Sequence, residues 1–240
     1  MINIATNIRE LNNISPAPFS EELIICESDY VKDKGIYLYP DSEKIQGDVP
    51  LDRIIGHSQI YDEMKWGDCL QGRYLKRIDR CLQELQENPE YYLSCSEKSG
   101  LSFIKIENDY FIVSGKHRTV VARFLAHFNA DTFREHTPLR NVTIHQKRVD
   151  YDFMSFSRKV EELKVIYPNL NFVMTYTSKN DANCLSVHSN RYHLPSGYYT
   201  RGELAECIHY FKNPSIKRKL ESDKTHRFIS FKNCFRSLLD

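Results

Sequence analysis

The stretch "DYFIVSGKHRTVVARFLAHF", residues 109–128, decides how this chain is read. An apolar run, Tyr110-Phe111-Ile112-Val113, ends at the small pair Ser114-Gly115. Three side chains able to carry positive charge follow at once: Lys116, His117 and Arg118. An amphipathic segment then begins, with Val120, Val121, Phe124, Leu125 and Phe128 on one face. Strand, glycine and helix in that order predict an α/β unit. Cations at the start of a helix oppose its macrodipole, so something must compensate them.

A bound anion would do so. A strand that ends in glycine and leads into a helix exposes a ring of unpaired backbone N–H groups. Such a ring, with the dipole behind it, favours phosphate. Gly115 has no Cβ to keep a ligand from the backbone. Arg118 can grip phosphate with two parallel hydrogen bonds, and Lys116 acts as a point charge. His117 can donate to a phosphate oxygen or move a proton near neutral pH. Gly115, Lys116, His117, Arg118 and Thr119 are therefore the expected phosphate-binding residues.

Upstream, "SFIKI" (102–106) and "YFIV" (110–113) flank the polar Glu107-Asn108-Asp109 and predict a hairpin. Residues 70–85 have helical spacing, with Leu70, Tyr74, Leu75, Ile78, Cys81, Leu82 and Leu85 on one face. Arg73, Lys76, Arg77 and Arg80 cover the rest of that helix, and Asn88-Pro89 ends it. "VPLDRIIG" (49–56) reads as a strand turning into a loop, "IYLY" (36–39) as a first strand, and "NVTI" (141–144) as another. Residues 1–30, rich in Asn and holding Pro16 and Pro18, read as an irregular arm.

In this order the segments resemble the ParB/sulfiredoxin-like superfamily. The motif there is an apolar strand, then G-x-x-R, then a helix with alanine about four residues on; Gly115, Arg118 and Ala122 match it. Val49-Pro50-Leu51-Asp52-Arg53-Ile54 resembles the family's opening "V-x-L-D-x-I", and Gln59 falls where a polar loop residue follows. The resemblance spans residues 47–150. It implies a small mixed sheet with packed helices that binds nucleotide phosphates at the G-x-x-R turn, with Gly115 as the close-approach glycine and Arg118 as the clamp. The implied ligand is a nucleoside triphosphate, ATP or CTP, with Mg2+. Arg73, Lys76 and Gln59 are expected in support.

Two departures narrow this. Sulfiredoxins carry a catalytic cysteine directly after the motif glycine, where this chain has Lys116. Partition proteins continue with an E-N-x-Q-R-like segment and a helix-turn-helix, which "VDYDFMSFSRKVEEL" (149–163) does not match.

After Val149 the texture changes. Phe156, Val160, Leu163 and Ile166 predict a helix that stops before Pro168, and "FVMTY" (172–176) a strand. Residues 177–199 are polar and loop-like, and Thr200 with Glu203 has capping-box spacing ahead of Leu204. The expected organisation is an arm and first strand at 1–46, a ParB-like domain at 47–150, and a mostly helical region at 151–240. The fold class is α+β.

Composition sets the outer limits. The 240 residues are 41% hydrophobic and 27% charged, with 15 Tyr and 13 Phe, as in a folded globular chain. Lys and Arg number 33 against 32 Asp and Glu, so no global field draws the chain to nucleic acid. DNA contact would need a local patch, and Lys217, Arg218 and Lys219 in the basic tail are its expected residues. The seven cysteines are odd in number and form no C-x-x-C pair; Cys184, His188 and His193, with Cys207 or His209, match no zinc spacing, so no metal site is assigned. Asp52, Asp62 and Glu63 are the carboxylates near the family's nucleotide position, able to hold magnesium or activate a nucleophile.

No apolar run reaches membrane-spanning length and no secretory leader is seen, so a cytoplasmic protein is expected. Three functions follow from the turn. The first is an NTP-binding switch in a DNA-linked process, with NTP hydrolysis or phosphoryl transfer as the chemistry if it is an enzyme. The second is a DNA-binding or DNA-cleaving protein gripping backbone phosphate. The third is a non-catalytic module for a protein partner or a second copy of the chain.

Overall fold

The computed structural model describes residues 4–59, 63–177, 182–189 and 197–215. The fold is mixed α+β, as expected, and the chain divides into two compact units. Met1–Lys34 groups with Asp41–Arg148, and Gly35–Pro40 groups with Val149–Asp240.

In the first unit the elements run α1 (Ile8–Ile14), β1 (Ile25–Cys26), α2 (Glu27–Asp33), β2 (Leu38–Gly47), β3 (Ile54–His57), α3 (Trp66–Leu70), α4 (Ile78–Glu87), α5 (Glu90–Leu93), β4 (Ser102–Ile106), β5 (Asp109–Ser114), α6 (Lys116–Phe128) and β6 (Val142–Val149). The first three residues of β2 and the last of β6 belong to the second unit by contact. Six strands form one sheet in the order β1-β3-β5-β4-β6-β2. β1, β3 and β5 run parallel, so their carboxyl ends lie on one edge. β4 closes the expected hairpin with β5 and lies parallel to β6. β1 approaches β3 closely, for a Cβ on Gly56 would stand 2.2 Å from the Ile25 carbonyl oxygen.

Helix α6 lies at the centre of the core: Val120, Val121, Phe124 and Leu125 are fully buried with Phe103, Ile54, Leu70 and Ile78. The expected helix at 70–85 is instead two. α3 stops at Leu70, Gly72 takes φ +89°, and α4 begins at Ile78. Leu70, Leu75, Ile78 and Leu85 still share one core, so the apolar spacing was sound while the backbone between them turned. At 49–56 the order is also reversed, with a 3-10 turn at Leu51–Arg53 preceding the strand.

The described part of residues 1–30, from Ile4 on, is not an irregular arm but holds α1, β1 and much of α2. Tertiary contacts make these short elements. Ile8 is fully buried, and the buried Asn12 side chain accepts from Ala17 N (2.9 Å) and Ser20 Oγ (2.9 Å).

The second unit contains α7 (Tyr151–Ile166), β7 (Leu170–Thr177), β8 (Ala182–Ser189), β9 (Gly197–Thr200) and α8 (Leu204–Lys212). The three strands form an antiparallel sheet in chain order. The region expected to be mostly helical thus carries a sheet as well, built partly from the stretch read as loop. Its core gathers Phe153, Val160, Leu163, Phe172, Leu185, Val187, Tyr199 and Phe211. Asp150 caps α7 by accepting from Phe153 N (3.0 Å), and the Thr200–Glu203 capping box is formed. Residues 35–40 join this unit through Asp150 N to Tyr37 O (2.7 Å) and Asn183 Nδ2 to Leu38 O (3.1 Å).

Candidate functional site

The quoted stretch folds as strand β5, glycine and helix α6. Gly115 takes φ +83° and ψ +27°, the left-handed conformation that glycine adopts without strain. A Cβ here would stand 2.0 Å from Leu101 Cδ2 and 3.0 Å from Gly100 O, so any other residue would have to displace the Leu101 side chain. α6 has 13 residues, no side-chain cap and no acid in its first turn. The helix starts beside the carboxyl ends of β3 and β5, which are tied together by Ser58 N to Ile112 O (3.0 Å). Ligands bind at this edge in open α/β sheets.

The residues around the turn come from three directions. From β3, Gln59 N donates to His57 Nδ1 (3.1 Å), and the Gln59 carboxamide oxygen accepts from Lys116 Nζ (2.7 Å). His57 is fully buried, and burial followed by the Lys116 charge lowers its pKa to about 4. From α3, the buried Cys69 has its thiol pushed up to about 12, by burial first and Asp68 next. It is therefore no thiolate nucleophile at neutral pH. On α6 itself, burial lowers the His117 pKa, with the Arg77 and Lys116 charges acting in the same direction.

Arg118 folds toward α5 and the loop after it. Its Nη1 donates to Tyr91 Oη (2.8 Å) and to the Ser99 carbonyl (3.0 Å). The guanidinium carbon lies 5.7 Å from the Tyr91 ring centroid. On the other side of the same cluster, the fully buried Lys98 donates to Ser94 O (2.9 Å), its Nζ 5.2 Å from the Tyr91 centroid. Ser114 Oγ meets Ser102 Oγ (2.8 Å) and donates to Gly100 O (3.1 Å), closing the loop against the turn.

The structure thus brings together Gly115, Lys116, His117, Arg118 and Gln59. Thr119 is fully buried and donates its hydroxyl to Gly115 O (3.1 Å), a backbone brace within the turn. Arg73 faces Asp68 (3.1 Å) and Lys76 is exposed; Arg77, from the same basic run, is the one whose charge acts on His117. Asp52 pairs with Arg53 (3.7 Å), and Glu63 is exposed. Asp62, His193, Lys217, Arg218 and Lys219 lie outside the described residues. Cys184 and His188 sit on β8, and Cys207 is buried in the second core. Among the described residues no three His, Cys, Asp or Glu side chains group to hold a metal ion.

Sequence reading missed His57, Arg77, Tyr91 and the Ser99 carbonyl. Arg77 was visible only as one of four basic residues. Tyr91 meets Arg118 across 27 positions, a distance no periodicity spans.

No family model, curated protein or solved structure matches the chain. No helix among the described residues is long and apolar enough to cross a membrane.

Proposed function

We propose that this is a ParB-like, NTP-binding protein whose β5–α6 turn holds the nucleotide phosphates. The state of Arg118 carries this reading. It stands in the first turn of an uncapped helix, its acceptors are a phenol and a carbonyl, and no ion pair among the described residues uses it. Many other arginines and lysines are paired to carboxylates, including Arg9, Arg73, Arg80 and Arg148. A cation left on neutral acceptors at the start of a helix without a side-chain cap suits an anionic ligand.

The chain's residues then divide the work. Backbone N–H groups after Gly115 and the Arg118 guanidinium hold phosphate oxygens, and Lys116 adds charge under the hold of Gln59. A neutral His117 can donate one hydrogen bond or take one proton. These donors fit phosphate oxygens rather than a metal, so Mg2+ would enter on the nucleotide. ATP and CTP are the ligands to try first. Hydrolysis or phosphoryl transfer, where it occurs, would draw on positioning and charge stabilisation. We place the protein in the cytoplasm on its odd, scattered cysteines, and assign it a switching role in a DNA-linked process.

The test is thermal unfolding of wild type and Arg118→Ala with ATP, CTP, GTP or UTP, each with magnesium. A ligand at a hundredfold its Kd stabilises the fold by about 2.7 kcal/mol. One nucleotide should raise the wild-type midpoint and leave the variant unmoved. If none does and duplex DNA binds with a steep salt dependence, the same turn grips backbone phosphate instead. If neither binds, the partner-module reading takes over.

A further inference from the structure

We propose that Tyr91 is the positioning residue of this site, holding Arg118 by one nitrogen so that its opposite edge is presented to a phosphate group. The inference rests on the phosphate-binding reading above. Nη1 has two hydrogens, and two acceptors meet it, Tyr91 Oη at 2.8 Å and Ser99 O at 3.0 Å. The Nε–Nη2 edge takes no part in those bonds, and it is the edge suited to side-on bidentate capture of two phosphate oxygens. Nη2 is located by Gly100, where an added Cβ would stand 2.9 Å from it. Tyr91 is itself fixed, its ring flanked by the Lys98 ammonium and edge-on to Tyr92, whose side chain is buried.

An arginine side chain otherwise loses much rotamer freedom on binding, which weakens affinity. Fixing Nη1 in the free protein removes that cost beforehand. Tyr91 thus touches no ligand and acts only through Arg118. Lysine at 118 would have no second edge to present, so Tyr91 would have nothing to position.

The experiment is a double-mutant cycle on the full chain, with inorganic triphosphate and then the best nucleotide, read by calorimetric titration. Tyr91→Phe should weaken binding about tenfold, equivalent to about 1.4 kcal/mol, with unchanged far-ultraviolet circular dichroism. In an Arg118→Lys background the same change should have no effect. If Tyr91→Phe leaves wild-type affinity intact while Arg118→Ala abolishes it, the positioning role is wrong and the phosphate site stands. Equal weakening in both backgrounds also overturns the role, because the effect then bypasses Arg118. If wild type binds neither probe, the phosphate reading itself fails.

A measurement on the unmutated chain covers the case of a poorly folding Phe variant. The Arg118 Nη1 and Nη2 resonances, assigned by their loss in Arg118→Lys, should be separate before ligand is added, because bonding at Nη1 blocks rotation of the guanidinium, and the Nη2 resonance should shift on triphosphate addition. A single averaged Nη resonance in the free protein would mean that Arg118 is not held, which contradicts the proposal.

Discussion

The guanidinium of Arg123 lies 4.2 Å from the ring centroid of Trp66. The Phe19 ring centroid lies at the same distance, 4.2 Å, so two aromatic rings flank the charge. In-plane, Nη1 donates to Ile54 O (3.2 Å) and Nη2 to Glu22 Oε2 (3.1 Å). One side chain of α6 thereby ties the helix that carries the site to α3, β3 and the N-terminal residues.

Arg123→Lys keeps the charge but loses the flat stacking surface and the forked donation. The expected loss of stability is about 2 kcal/mol, from a buried carbonyl left short of a donor and a weakened cation–π contact. Urea unfolding followed by Trp66 fluorescence measures it directly. An unchanged midpoint would mean the sandwich is decorative.

Gly115→Ala meets two penalties, a left-handed backbone and a Cβ driven into Leu101. The expected loss is about 2–3 kcal/mol. In a Leu101→Ala background, which carries its own cavity cost, Gly115→Ala should cost less than in wild type, because the clash is gone and the backbone strain remains. Thermal unfolding of both single variants and the double variant separates these contributions.

His57 makes stability depend on pH in a set direction. Its pKa in the folded chain is about 4, against 6.5 for an ordinary histidine, so the unfolded chain takes up the proton first as pH falls. This contribution is complete above pH 6.5, erodes between 6.5 and 4, and adds no further loss below that. The steepest loss is about 1.4 kcal/mol per pH unit. In His57→Gln, urea midpoints between pH 7 and 4.5 should fall less steeply than in wild type. Parallel curves would place the acid sensitivity elsewhere.

Asp150 is buried and accepts from Arg201 Nη1 at 2.5 Å as well as capping α7. Asp150→Asn can still cap the helix but takes the buried charge from Arg201, leaving it the exposed Asp152 and the Tyr39 side chain. The second unit should lose about 2–3 kcal/mol. Hydrogen exchange of the α7 and β8 amides should accelerate while that of α6 and β5 stays constant. Uniform acceleration across both sets would contradict a local role.

The central hairpin and α6 were legible because their apolar residues repeat with a clean period over enough positions. The capping box at Thr200 was legible for a similar reason, since its partners lie three residues apart. Elsewhere the deciding forces are not local. α1 and β1 are short, and what fixes them is Ile8 in a distant core and Glu22 on Arg123. β8 escaped notice because only Leu185 and Val187 supply its apolar alternation, among Asn183, Ser186 and His188. Within the site, Gly115 and Arg118 stood out by spacing. Tyr91 and His57 did not, since their meaning depends on which strands and helices end beside the turn.

The grouping of residues 35–40 with the C-terminal unit bears on how the chain is made. Leu38 O waits for Asn183 Nδ2, 145 positions later. At about 5–20 residues per second of synthesis, that is a wait of roughly 7–30 s. During it, the short segment around Tyr37 emerges from the ribosome without its partners, Phe153 among them. A gene fragment beginning at codon 149 would encode a protein lacking that segment altogether, and supplying it as a separate peptide should restore the fold.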